Sequence, residues 1–302
     1  MASKQSEALK DLYKSWGVAM AANPTMGIEA LREMFDHWGD VTAEPGGVDY
    51  LEVDAAGVPC LWAVPKGAAM DRVLVCTHGG GYVVGSMYSH RKVFGHLAKA
   101  VGCRAIILHY RRAPEFAHPA QNEDAVAVYK WLLDQGIAPR HIATTGDSAG
   151  GGLCTSLVLG ARKAGLPLPA AIMPQSPWYD MEGTGETLKT KAAVDAIVQA
   201  SVLEAMRGMF LGEQGSPQDP LASPLLADLE GLPPIYIQVG SDETLLDDSL
   251  RFAAKAKAAG VDVRCDVFPE MQHVFHFLAG RAPEADEAIR RYADWVRPKL
   301  GL

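Results

Sequence analysis

The stretch HIATTGDSAGGG, residues 141–152, decides the fold. Its first half, His141–Gly146, is short, rich in β-branched residues and free of Lys, Arg, Asp and Glu, as a buried strand requires. From Ala149 onward, small residues lead into Leu153, Cys154, Leu157 and Val158, a helical spacing that continues to about Ala164. Between the two lies Gly146-Asp147-Ser148-Ala149-Gly150, a Gly-x-Ser-x-Gly pentapeptide. A strand that turns straight into a helix brings neighbouring Cβ atoms into collision, so glycines two residues either side of Ser148 relieve the turn. Ser148 Oγ is then presented at a helix N-terminus, where the dipole favours developing negative charge. Alone, the pentapeptide also reads as a Gly/Ser-rich helix cap; its strand and helix context selects a nucleophile instead.

Working outward, the same rhythm recurs. Short apolar runs at Val73–Thr77, Ala105–Tyr110, Ala171–Gln175, Ile235–Gly240 and Val263–Phe268 alternate with helix-like segments. Those segments are Ser89–Ala100, Glu123–Gln135, Ala149–Ala164, Leu246–Ala259 and Ala285–Val296. Near-continuous apolar strands separated by helices predict an α/β fold whose mostly parallel sheet is buried on both faces. Upstream, Val48–Val53 and Val58–Val64 form a hairpin about Ala56-Gly57. Two regions break the rhythm. Residues 1 to about 40 read as two helices, the second bearing Leu31, Met34, Phe35 and Trp38. Residues 181 to about 218 carry Val202, Met206, Met209 and Phe210. Either stripe reads as core-covering helix or as a lid over the strand ends, since methionine suits adaptable apolar surfaces. The whole chain, 1–302, reads as a single domain with these two segments as cap elements.

Composition narrows the function. The 302 residues carry a formal charge of −8 and no basic cluster, which disfavours a nucleic-acid partner. Five scattered cysteines, with no Cys-x-x-Cys pair, predict a reduced, cytoplasmic setting with neither disulfide framework nor zinc site. The N-terminal MASKQSEALK lacks the apolar core of a signal peptide, and no apolar run is long enough to span a bilayer.

A second glycine motif supports the first. His78-Gly79-Gly80-Gly81-Tyr82 follows the Val73–Thr77 strand, and its bare backbone N–H groups can approach a substrate carbonyl. Together with the N–H of Ala149 they make a reading as oxyanion donors. Neither Gly-x-Gly-x-x-Gly nor Gly-Lys-Ser/Thr is present, so phosphate cradling is disfavoured, although a plain turn is not. Chain order then places an acid and a base after later strands: Ser241-Asp242-Glu243 follows Ile235–Gly240, and Pro269–His273 follows Val263–Phe268. Asp242 is the expected acid and His273 the expected base. Glu243 is a rival acid, Asp247 and Asp248 are assigned to the next helix start, and His276 is the rival base.

These blocks resemble the bacterial hormone-sensitive-lipase-like esterases of the α/β-hydrolase fold, near monoterpene lactone hydrolases and mycobacterial Lip-type esterases. The likeness rests on HGGGY (78–82), YRRAPE (110–115), GDSAGG (146–151), GSDETLLDD (240–248) and QHVF (272–275). It implies an eight-stranded, mostly parallel sheet flanked by helices with a helical cap, no cofactor, no metal, and small hydrophobic ester substrates of short to medium acyl chain. It implies Ser148 as nucleophile, Asp242 as acid, His273 as base, and Gly80, Gly81 and Ala149 as oxyanion donors. His78 becomes a structural brace of the loop, and Val263–Phe268 a possible homodimer edge. Two positions depart from the family pattern: Arg112 stands for an apolar residue, and Glu243-Thr244 for the commoner Pro-Leu. The expected function is a serine carboxylesterase working through an acyl-enzyme. Lactone hydrolysis uses the same chemistry, and a non-catalytic small-molecule receptor is the alternative from another class.

Overall fold

The computed structural model describes residues 2–302. Eight strands form one sheet: β1 (Val48–Ala55), β2 (Val58–Pro65), β3 (Ala69–Thr77), β4 (Cys103–Leu108), β5 (Ile142–Asp147), β6 (Ala171–Gln175), β7 (Ile235–Gly240) and β8 (Val263–Phe268). Their order is β1-β2-β4-β3-β5-β6-β7-β8. The β1–β2 hairpin joins β4 antiparallel, and every pairing from β4 through β3 to β8 is parallel. The hairpin turns at Ala56 and Gly57, both with positive φ (59° and 82°), the geometry that matches strand twist.

Helices α1 (Glu7–Ala22), α2 (Ile28–Asp36), α3 (Arg91–Val101), α4 (Ala120–Asp134), α5 (Ala149–Lys163), α6 (Thr187–Thr190), α7 (Ala200–Leu211), α8 (Leu246–Ala258) and α9 (Pro283–Leu300) complete the fold. The strand period of two divides the core between the sheet's faces. On β3, Val73 and Val75 face a cluster with Val128 and Leu132 of α4, Leu153 and Leu157 of α5 and Phe252 of α8. Leu74 and Cys76 face the other way, toward Phe94 and Leu97 of α3, Tyr292 and Val296 of α9, and the N-terminal Leu9, Tyr13 and Trp16. β8 departs from the expectation of burial on both faces. It is the sheet's last strand, and only Phe268 in it is buried. Among the described residues, no helix is long and apolar enough to cross a membrane.

The two segments outside the alternation meet at one place. Leu31, Phe35 and Trp38 from the N-terminal region and Val202, Met206 and Met209 from α7 line a single cavity that also contains Ser148. Trp38 stacks on Phe277 with ring centroids 4.8 Å apart, and Phe210 stacks on Tyr82 at 3.8 Å. Both insertions are thereby seated by aromatic contacts, the N-terminal one against the segment after β8 and α7 against the glycine loop after β3.

Candidate active site

Ser148 sits between β5 and α5 with φ 54° and ψ −122°, a backbone state that non-glycine residues avoid and that a tight turn must impose. The flanking glycines are required by close approach. A Cβ at Gly146 would run into Thr77 and the Gly150 carbonyl, and one at Gly150 into the carbonyls of Thr77 and His78. Ser148 N–H donates to Gln175 O (2.9 Å), while its carbonyl accepts from Gly152 and Trp178.

The loop after β3 curls back on itself, with Val83 and Val84 N–H donating to Gly80 O at 3.0 and 2.9 Å. Among the described residues, no acceptor takes the N–H of Gly80, Gly81 or Ala149. Gly80 and Gly81 line the Ser148 cavity. Asp147, given no part in the sequence-based expectations, braces this loop from inside. Its buried carboxylate accepts from Gly79 N–H (3.1 Å) and lies 3.3 Å from His90 Nε2. His78 is stacked on Tyr110 at 4.1 Å, its Nδ1 2.9 Å from Gly79 O, and burial holds it neutral by pushing its pKa well down.

His273 is buried in the loop after β8, and its Nδ1 lies 2.6 Å from Glu243 Oε2. A carboxylate only accepts, so Nδ1 carries the ring proton and Nε2 is left with its lone pair. Nε2 is buried without a hydrogen-bond partner, and His273 lines the same cavity as Ser148. Ser148 Oγ makes no hydrogen bond to it in this conformation. Burial opposes a charged His273, yet the Glu243 carboxylate, with Asp195 and Asp147 behind it, outweighs that and raises the imidazole pKa.

The expected acid, Asp242, is not the residue on the imidazole. Its carboxylate is one-quarter exposed, accepts from Ser241 Oγ (3.1 Å) and lies 4.0 Å from Lys191 Nζ. Glu243 is fully buried; Oε1 accepts from Gly240 N–H (2.6 Å) and Ser176 Oγ (2.7 Å), leaving Oε2 for His273. The chain leaves β7 with Gly240 pressed against the Met271 carbonyl and turns once more before an acidic side chain faces inward. The longer glutamate covers the added distance. The sequence already offered Glu243 as the rival acid, one residue further into the loop. The rival base is also placed: His276 Nε2 lies 2.9 Å from Gln238 Oε1, and burial lowers its pKa to about 3. Asp247 and Asp248 both stand in the first turn of α8, as expected, but neither caps it; Thr187 Oγ1 takes the Asp247 N–H instead (3.0 Å). Asp248 accepts from the N–H groups of Tyr179 (2.8 Å) and Asp180 (3.0 Å).

Three buried groups hold the site from the insertions, and nothing in local sequence marked them. Tyr13 of α1 donates its hydroxyl to His273 O (2.9 Å). Arg32 of α2 donates to Val83 O (3.0 Å), Ala113 O (2.9 Å) and both oxygens of Glu115. Asp195, between α6 and α7, accepts from Thr244 beside Glu243.

The cavity measures about 260 Å³ and is walled by apolar side chains, with Ser148, Ser201 and His273 as its polar lining side chains. A serine, an imidazole backed by a buried carboxylate, and three uncommitted backbone N–H groups suit acyl transfer.

Comparison with known proteins agrees with this geometry. A family model described as the α/β-hydrolase fold matches residues 74–277. An acetyl-hydrolase of Streptomyces hygroscopicus is 37% identical over 307 aligned positions, covering 100% of this chain and 99% of that protein. Esterase LipI of Mycobacterium tuberculosis is 32% identical over 285 positions, 88% of this chain and 86% of its own. The crystal structure of an esterase from the bacterial hormone-sensitive lipase family superposes with a TM-score of 0.94 at 41% identity, over 100% of both chains. Full-length likeness at these identities, and a superposition that covers both chains, make this chain a member of the α/β-hydrolase family, in its bacterial hormone-sensitive-lipase branch.

Proposed function

We propose that this carboxylic-ester hydrolase works by serine catalysis, with Ser148 as nucleophile, His273 as general base and Glu243 as the acid that orients it. The observation that carries the reading is the state of His273: Nδ1 is committed to a buried carboxylate while Nε2 is unpaired in a ring that lines the Ser148 cavity. On substrate binding, the serine hydroxyl closes the remaining hydrogen bond, a contact that tightens in many enzymes only in the loaded complex. Ser148 Oγ attacks the ester carbonyl and its proton passes to His273 Nε2. The N–H groups of Gly80, Gly81 and Ala149 hold the oxyanion, and His273 returns the proton to the leaving alcohol. Water then attacks the acyl-enzyme by the same route.

The cavity favours neutral esters of short to medium chain. An apolar cavity of about 150 Å³ holds one benzene ring, so about 260 Å³ accommodates a ring-sized group with a few methylenes. Ser148→Ala lowers turnover of p-nitrophenyl butyrate by on the order of 10⁶-fold and abolishes labelling by a fluorophosphonate, with the melting temperature retained. Labelling or turnover near the parent level in that variant would overturn the assignment.

A further inference from the structure

Asp195 has a place that a simple turn cap does not explain. It lies in the insertion, 4% exposed, between α6 and α7. Oδ1 accepts from the N–H groups of Ile197 (2.9 Å) and Val198 (2.8 Å), both residues of the cavity wall. Oδ2 reaches 49 positions along the chain to accept from Thr244 N–H (2.7 Å) and Thr244 Oγ1 (3.1 Å). Thr244 follows Glu243 directly. A carboxylate that only capped its own turn would need Oδ1 alone. Burying a charged group is costly unless its lone pairs are filled, and here they are filled from both sides at once. Gln272, the neighbour of His273, repeats the connection from the other loop. Its amide accepts from Ala196 N–H (2.9 Å) and donates to Val194 O (2.9 Å).

We propose that Asp195 is a positioning residue for ester hydrolysis, one oxygen fixing the cavity wall at Ile197–Val198 and the other fixing the Glu243 loop through Thr244, so that substrate seating and acid alignment share one carboxylate. The inference rests on the Ser148–His273–Glu243 reading. It also places a second negative group behind the imidazole. The groups facing His273 are Glu243 from the loop after β7, Asp195 from the insertion, Asp147 from the serine turn, His276 from the following turn and Tyr13 from α1. The carboxylates among them favour its protonated form, against burial.

The test is Asp195→Asn, which keeps the shape but replaces one acceptor with a donor and removes the charge. With p-nitrophenyl butyrate, kcat falls by about 10- to 100-fold, the loss expected when a reacting group is misplaced by an ångström, and KM changes less. The acid limb of kcat/KM moves to lower pH, because a charge that favours the imidazolium is gone. Added to Glu243→Gln, the same change costs little more, since the acid it aligns is already lost. A variant that raises KM or lowers the melting temperature while kcat and the acid limb stay put would show Asp195 to be wall structure only and overturn the proposal. If Asp195→Asn does not fold, Asp195→Ser keeps a short acceptor for the Ile197–Val198 turn but cannot span to Thr244, and an unchanged kcat and acid limb in it overturn the proposal equally. Glu243→Gln alone separates the two readings. Retained turnover in it removes the triad, whereas loss in it beside an unaffected Asp195→Asn removes only this proposal.

Discussion

At the scale of residues, the choice between two adjacent carboxylates decides the acid. Asp242 and Glu243 share a loop, and only Glu243 is buried against the imidazole. Glu243→Gln therefore lowers kcat by roughly 10³- to 10⁴-fold, the size of loss seen when a triad acid becomes an amide and the wrong tautomer is favoured. Asp242→Asn stays within about twofold, as a partly exposed substitution off the imidazole does. Steady-state kinetics on the pair of variants checks both, and the reverse ranking would restore Asp242. The pH profile follows from the same contact. The proposed mechanism needs neutral His273, and its pKa is raised because the carboxylates outweigh burial. Activity is thus lost as pH falls through a value above the ordinary imidazole figure of about 6.5. A kcat/KM profile on p-nitrophenyl acetate with its limb at or below 6.5 contradicts the raised pKa. The two loops and the serine turn lie where the sequence puts them, directly after β7, β8 and β5, because each of those strands has its own apolar signature. The sequence did not separate Asp242 from Glu243, because an irregular loop has no period from which a side chain's direction can be read.

At the scale of elements, strands β6, β7 and β8 fall where their apolar runs end, at Gln175, Gly240 and Phe268. Helix ends were less legible: α4 begins at Ala120, three residues before the predicted Glu123, and α9 runs on to Leu300 with Pro298 inside it. Burial of β8 could not be read from composition, since strand order, not strand sequence, puts it at the edge. The insertions were legible as helices but not in what they hold, because their contacts span long separations. Arg32 is the clearest case, 8% exposed and bonded to Val83 and Ala113 across 51 and 81 positions. Glu115, its partner, is held well below the usual carboxylate range, to about 2, chiefly by that guanidinium. Arg32→Met leaves the two carbonyls without a donor, a cost of about 1–3 kcal/mol for a buried unmet group. A lower melting temperature is expected, with kcat/KM reduced because Val83 belongs to the loop that carries Gly80 and Gly81. Glu115→Gln does much less, since that carboxylate is half exposed and the carbonyl contacts remain. Equal effects from the two variants would mean that the ion pair, not the carbonyl grip, anchors α2.

At the scale of the whole molecule, a chain of net charge −8 surrounds a cavity in whose wall, among the described residues, there is no Lys, Arg, Asp or Glu. Charge and pocket therefore act on a substrate at different stages. The surface field acts on approach and is screened by salt, whereas the cavity acts after water has been left behind. A neutral ester such as p-nitrophenyl butyrate feels neither penalty, and its kcat/KM stays flat between low and moderate ionic strength. An ester of equal length ending in a carboxylate, the p-nitrophenyl hemisuccinate, is opposed twice. Its charge is repelled on approach and must then enter an apolar cavity, at an effective penalty of several kcal/mol. Since each 1.4 kcal/mol is a factor of ten, its kcat/KM falls at least about 100-fold below the butyrate value. Salt recovers only the small part due to approach. Comparable rates for the two esters at both ionic strengths would mean that a cation reaches the bound acyl chain, and that the wall formed by α2 and α7 rearranges when substrate enters.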